Sequence, residues 1–116
     1  MKPENVLVDE EGHIALTDFG ICRTIRYQSD APFVVGTPLY LPPEVIQGTI
    51  IIWMEGSKYT RESDWWCLGM LLYEMLIGIP AFYHSNQDLI YLMILKANPY
   101  FPPNIEVSVE CVDIIL

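Results

Sequence analysis

Basic residues are scarce in this chain. Six Lys and Arg stand against 15 Asp and Glu, which leaves a formal charge of −9 over 116 residues. Nucleic acid is thereby excluded as the main partner, because phosphate backbones are held by Lys and Arg. The balance suits cationic partners, metal ions or basic peptides, while most of the carboxylates simply keep the surface soluble. Cysteine is sparse too. Cys22, Cys67 and Cys111 are odd in number and form no CxxC pair. That pattern leaves out a disulfide framework and a zinc site, and it fits a reducing compartment. No apolar run is long enough to cross a bilayer: the longest, Trp65 to Tyr73, is followed by Glu74. The opening Met1-Lys2-Pro3-Glu4-Asn5 carries no signal-peptide pattern. Internal repeats and low-complexity tracts are lacking. These features describe one small domain, cytoplasmic or nuclear, of undetermined oligomeric state.

What is present has a clear order. Val6-Leu7-Val8 and His13 to Thr17 are β-prone runs around the turn Asp9-Glu10-Glu11-Gly12, which predicts a hairpin over 6–17. Residues 18–43 show no helical period and are expected to form a long functional loop. Pro43 to Ile46 suggests a short helix with proline near its start. Residues 47–60 look irregular. Asp64 to Ile77 reads as a strong helix, apolar almost all round and so central to something larger, with Gly78 and Pro80 as stop signals. Ser85-Asn86-Gln87-Asp88 has a capping-box pattern ahead of a helix over Leu89–Lys96. Ser108 is placed to cap a final helix that includes Val112 and Ile115.

The chemistry rests on two motifs. Lys2-Pro3-Glu4-Asn5 precedes the hairpin and Asp18-Phe19-Gly20 follows it. The Asn5 amide oxygen and the Asp18 carboxylate are hard ligands suited to Mg²⁺ beside phosphate groups, and the hairpin fixes their spacing. A DFG alone is a weak signal; a KPEN, a hairpin and then a DFG is a strong one. Downstream come Gly36-Thr37-Pro38-Leu39-Tyr40, Pro42-Pro43-Glu44 and Asp64-Trp65-Trp66-Cys67-Leu68-Gly69. His13 and His84 have no matching ligands nearby and read as structural or exposed. Cys22 has no feature that would depress its pKa.

The five motifs, in this order and across the whole chain, resemble the second half of a eukaryotic serine/threonine protein kinase domain. Lys2 and Gly36-Thr37 point to the serine/threonine class. Asp18 to Arg23, the double tryptophan, and Phe101-Pro102 before Ser108 resemble the AGC group. The resemblance implies a partial protein-kinase-like fold over 1–116, a mainly α large lobe with one small β-hairpin, lacking the small lobe and the C-terminal end of the domain. It implies ATP and Mg²⁺ as cofactors, with Asn5 and Asp18 on the metal and Lys2 steadying the transferring phosphoryl group. Thr37 resembles the threonine that orients the catalytic aspartate and favours a serine or threonine acceptor. Leu7, Leu71 and Met75 match the apolar column under the adenine ring. Glu4 lies beside the ATP site and, with Glu74, matches carboxylates that face arginines upstream of the acceptor. Val34, Pro38 and Leu41 match an apolar pocket after it. The implied partners are therefore protein substrates with basic residues near the acceptor. Phe19 and Gly20 complete the DFG turn, Glu44 resembles a glutamate that pairs with a late arginine, and Asp64 a buried aspartate that pins the catalytic loop.

Departures from the family pattern set two further expectations. The H-R-D aspartate belongs immediately before Met1, and the Gly-rich loop and the ATP-pairing lysine lie outside the chain. Phosphoryl transfer then belongs to a complete domain, and this fragment by itself is expected to be inactive and poorly soluble. The other possibility is a truncated, non-catalytic kinase-like binding module. In the activation loop the position of the usual phosphothreonine is Phe33, with Arg23 as a remaining basic partner and Thr24, Tyr27 and Ser29 as other hydroxyls. The stretch between Glu44 and Asp64 is longer than usual, and its run Ile50 to Trp53 reads either as a docking patch or, more plainly, as a loop folded onto the lobe.

Overall fold

The computed structural model describes residues 1–20, 22, 36–50 and 59–116. A 3-10 turn, Pro3–Asn5, leads directly into β1 (Val6–Val8), which pairs antiparallel with β2 (Ile14–Leu16). The register is Val6↔Leu16, Leu7↔Ala15 and Val8↔Ile14. The reversal between them is built by Asp9, whose Oδ1 accepts from the backbone N–H groups of Glu11 and His13. Gly12 occupies the left-handed region at φ 89°, which a side chain would resist. The expected hairpin is therefore present, and its turn is fixed by a local Asp–backbone network.

A second 3-10 turn, Pro38–Tyr40, is followed by α1 (Pro43–Ile50), α2 (Arg61–Ile77), α3 (Gln87–Lys96) and α4 (Val109–Ile115). Three boundaries differ from the sequence reading. Helix α1 runs on to Ile50, so residues 47–50 are helical rather than irregular; the rest of that stretch up to residue 58 lies outside the described residues. Helix α2 begins at Arg61, one turn before Asp64, because the Thr60 N–H is satisfied by Ser63 Oγ at 3.0 Å. Helix α3 is capped by Asn86, not Ser85: Asn86 Oδ1 accepts from Asp88 N at 2.8 Å. The other end signals act as read. Gly78 closes α2 in the left-handed conformation at φ 86°, and Ser108 Oγ accepts from Cys111 N to start α4.

The core lies where the Pro38–Tyr40 turn, α1, α2 and α3 meet. Tyr40, Leu41, Val45, Ile46, Met70, Phe82, Ile90 and Ile94 form it, with Val45 and Ile94 fully buried. Trp66 stacks on Phe82 with ring centroids 6.1 Å apart and planes 9° from parallel. Helix α4 approaches α2 at Gly69, where an added Cβ would stand 3.4 Å from the Ile115 carbonyl oxygen. Tyr73 anchors the segment after α3: its hydroxyl donates to the Tyr100 carbonyl, and its ring meets Phe101 edge-on.

Helix α2 is not covered on every side. Leu71 is buried, but Met75, one turn later, is 64% exposed, and Trp65 and Leu76 are exposed as well. The apolar surface of α2 is wider than its neighbours in the described chain can cover. Leu7, Val8, Ile14 and Leu16 on the hairpin show the same excess.

Candidate active site

The KPEN residues are organised by the Pro3–Asn5 turn. Pro3 stands at its first position, where a missing N–H is harmless, and Asn5 N donates to the Lys2 carbonyl at 3.0 Å. The hairpin then carries this turn to the DFG segment. One step beyond the last strand pair, Thr17 N donates to the Asn5 carbonyl at 2.9 Å. Asp18 follows immediately, so the ladder itself brings the Asn5 and Asp18 segments side by side.

Asp18 adopts φ 61°, a left-handed conformation that is uncommon for residues with a side chain but more accessible to aspartate than to most. The next residues form a turn closed by Cys22 N on the Phe19 carbonyl at 3.1 Å. Gly20 faces the carboxylate: a Cβ there would lie 3.4 Å from Asp18 Oδ1. Phe19 is exposed and packs on nothing in the described core. Among the described residues, no three His, Cys, Asp or Glu side chains converge to form a metal cage. The donor set at this place is one amide oxygen and one carboxylate, which suits a hard cation whose remaining ligands are phosphate and water.

A second cluster lies below the Pro38–Tyr40 turn. The Tyr40 hydroxyl donates to Glu74 Oε2 at 2.5 Å. Burial pushes the Tyr40 phenol well above its usual value, and the hydrogen bond and charge of Glu74 add to this; the negative charge of Glu4 also reaches it. Glu74 is thus bonded to Tyr40, while Glu4 acts on it only through its charge. Tyr40 itself was not read as a site residue. Its only sequence signal was its place in Gly36-Thr37-Pro38-Leu39-Tyr40, and an aromatic at the edge of a helix is more often core.

Other expected site residues are distributed differently. Thr37 and Pro38 are half-buried at the start of the second 3-10 turn. Leu41 is core at 3% exposure and offers no open pocket wall, because Gly36 lies over it; a Cβ on Gly36 would stand 3.1 Å from Leu41 Cδ2. Val34 lies outside the described residues, as do Phe33, Arg23, Thr24, Tyr27 and Ser29. Leu7 and Met75 are exposed, so of the three residues of the expected adenine column only Leu71 is buried. Asp64 is exposed rather than buried, because the first turns of α2 present Ser63 inward and leave residues 61, 62, 64 and 65 outward. Glu44 is tied down, though not by an arginine: Ser63 Oγ donates to its Oε1 at 2.7 Å. The three cysteines are free, and burial raises the Cys67 thiol while it donates to the Tyr40 carbonyl, so it is no activated thiolate.

The family model described as "Protein kinase domain" matches residues 1–116. Serine/threonine-protein kinase Sgk1 of Homo sapiens is 46% identical over 106 residues, covering 90% of this chain and 23% of the relative. The Sgk1 protein of Gallus gallus is 45% identical over the same length. Serine/threonine-protein kinase gad8 of Schizosaccharomyces pombe is 45% identical over 107 residues, 91% of this chain and 17% of the relative. The chain therefore spans about a quarter or less of the length of these curated relatives. The relatives are serine/threonine kinases by name, the class that Lys2 and Gly36-Thr37 imply. With its whole length matched, the chain belongs to the protein kinase domain family.

Proposed function

We propose that this chain supplies the metal-binding and substrate-facing part of a serine/threonine protein kinase of AGC type, acting as part of a complete domain. The observation that carries the reading is the hairpin that sets Asn5 beside a left-handed Asp18. Two oxygen donors at the same open end of one paired ladder are held without a protein-only cage. In the complete domain Asn5 and Asp18 would hold Mg²⁺ against the ATP phosphates, and Mg²⁺ would neutralise charge on the transferring group. Lys2, on the same turn, is placed to steady the phosphoryl group, and Thr37 to favour a hydroxyl acceptor. Gly20 completes the DFG turn beside Asp18, and Glu44 ties α1 to α2 through Ser63.

The substrate reading follows from the second cluster. Glu74 is the only formal charge between Trp65 and Gly78, on an otherwise apolar helix. Tyr40 occupies one of its oxygens, which aims the carboxylate and leaves the other oxygen for a guanidinium from outside. Glu4 adds a second negative charge nearby. A peptide with arginine upstream of its serine or threonine fits this pair, and Pro38 borders the place where an apolar residue after the acceptor would lie. A positional-scanning peptide library, assayed on the full-length kinase, tests the reading. Selection of arginine upstream supports it, while a preference for acidic residues, or for proline directly after the acceptor, overturns it.

A further inference from the structure

Helix α2 grips the segment before it with one narrow polar stripe. Ser63, Cys67 and Glu74 follow at spacings of four and seven residues. At about 100° per residue they fall within one arc of roughly 40°. Met70 borders that arc at 4% exposure and marks it as the inward side. Ser63 Oγ donates to Glu44 Oε1 at 2.7 Å, and the Cys67 thiol donates to the Tyr40 carbonyl at 3.3 Å. Glu74 Oε2 accepts from the Tyr40 hydroxyl at 2.5 Å. Tyr40 is therefore held at both its backbone and its phenol by one face of α2.

The carbonyl contact answers a local need. The Pro38–Tyr40 turn would continue by a donor from residue 43, but residue 43 is proline and has no N–H. Tyr40 is only 8% exposed, and a carbonyl at so buried a residue requires a partner. Cys67 supplies it. Burial raises the thiol above its usual pKa, so the sulfur keeps the proton that it donates. The carbonyl fixes where the Tyr40 ring starts, and the staggered side-chain torsions fix where its hydroxyl ends. The hydroxyl in turn directs the Glu74 carboxylate.

We infer that Cys67 is a positioning residue for substrate selection, which by holding the Tyr40 carbonyl sets the direction in which Glu74 meets an arginine of the peptide. This rests on the substrate reading given above. A guanidinium meets a carboxylate through directed N–H groups, so a small shift of Tyr40 along α2 weakens the arginine contact. The Asn5–Asp18 end is not touched by such a shift.

The test is steady-state kinetics of the full-length kinase with two peptides, one carrying and one lacking the upstream arginine, with thermal melting alongside. Cys67→Ala and Cys67→Val both remove the donor, the second without leaving a void, while Cys67→Ser keeps a donor at smaller size. KM for the arginine peptide should rise about fivefold in Cys67→Ala and Cys67→Val and stay within about twofold of wild type in Cys67→Ser. KM for the other peptide and for ATP should not move. Grouping by size instead, with Cys67→Val like wild type and Cys67→Ser like Cys67→Ala, overturns the inference in favour of packing. An equal rise for both peptides overturns it too. Where Cys67→Ala fails to fold, the comparison of Cys67→Val with Cys67→Ser decides. Glu74→Gln, measured beside them, separates the two readings. If it abolishes the arginine preference while the cysteine variants keep it, this inference alone falls. If the preference survives Glu74→Gln, the substrate reading falls and this inference with it.

Discussion

Tyr40 and Glu74 lie 34 positions apart in sequence, and a hydrogen bond of 2.5 Å joins the phenol of one to the carboxylate of the other. The bond ties the Pro38–Tyr40 turn to the last quarter of α2, and it gives a nearly isolated charge on an apolar helix a defined direction. With Tyr40 as donor, the half-buried carboxylate has a fixed direction.

Replacing Tyr40 by Phe keeps the ring in the core and removes only the donor. In the full-length kinase, KM for an arginine-containing peptide should rise about tenfold, since hydrogen bonds to charged groups are worth about 1.5–3 kcal/mol. KM for ATP should change little. Steady-state kinetics with peptides that have or lack the upstream arginine will check this; an equal loss for both peptides would assign Tyr40 a purely structural role.

Alkaline stability should report the same bond. The folded-state pKa of Tyr40 is raised above the ordinary value of 10.0, first by burial and then by Glu74. The unfolded chain therefore loses this proton before the folded one. The contribution is complete below pH 10 and declines as pH rises beyond it toward the folded value. Unfolding titrations between neutral pH and strong alkali should show wild type losing stability faster above pH 10 than Tyr40→Phe does.

Ser63 joins two elements, accepting from Thr60 N and donating to Glu44 Oε1. Ser63→Ala removes the cap interaction and the Glu44 partner at a position only 5% exposed. A loss of about 2 kcal/mol is expected. Chemical denaturation of a complete domain, with the neighbouring exposed Glu62→Ala as a milder comparison, measures it.

At the metal site, Asp18→Ala should reduce turnover by several orders of magnitude, and Asn5→Ala should raise the Mg²⁺ concentration needed for half-maximal activity. Magnesium titrations at fixed ATP separate the two. Near wild-type turnover for Asp18→Ala would refute its metal role.

Activation should not depend on phosphate at the usual loop position, because Phe33 has no hydroxyl. Phosphosite mapping of active enzyme should find that residue unmodified by necessity. An essential phosphate on Thr24, Tyr27 or Ser29 would show that the switch has moved along the loop.

Much of this molecule is written locally. The Asp9-to-Gly12 turn, the left-handed Gly78 and the Ser108 cap depend on neighbours within four residues, and such patterns can be read directly from the chain. The same holds for the candidate metal site, where two motifs flank a short hairpin and the ladder leaves them nowhere else to go. Helix starts were less legible. Thr60–Ser63 and Asn86 compete with equally plausible caps one or a few residues away, and the choice falls to whichever turn can bury its inward side chains.

The sequence by itself thus determined the order of motifs, the protein kinase domain family, the hairpin and the helices found among the described residues. Only the tertiary structure decided which side of each apolar helix is covered. Leu71 is buried and Met75 exposed although both are apolar and one turn apart, and Asp64 faces outward while Ser63 faces in. Only the tertiary structure, too, matched Tyr40 with Glu74 and Glu44 with Ser63. The physical reason is that local pattern fixes backbone conformation through nearby hydrogen bonds and sterics. The partner of a side chain across 19 or 34 residues depends on how whole elements pack, and that is set by the summed burial of every residue between them.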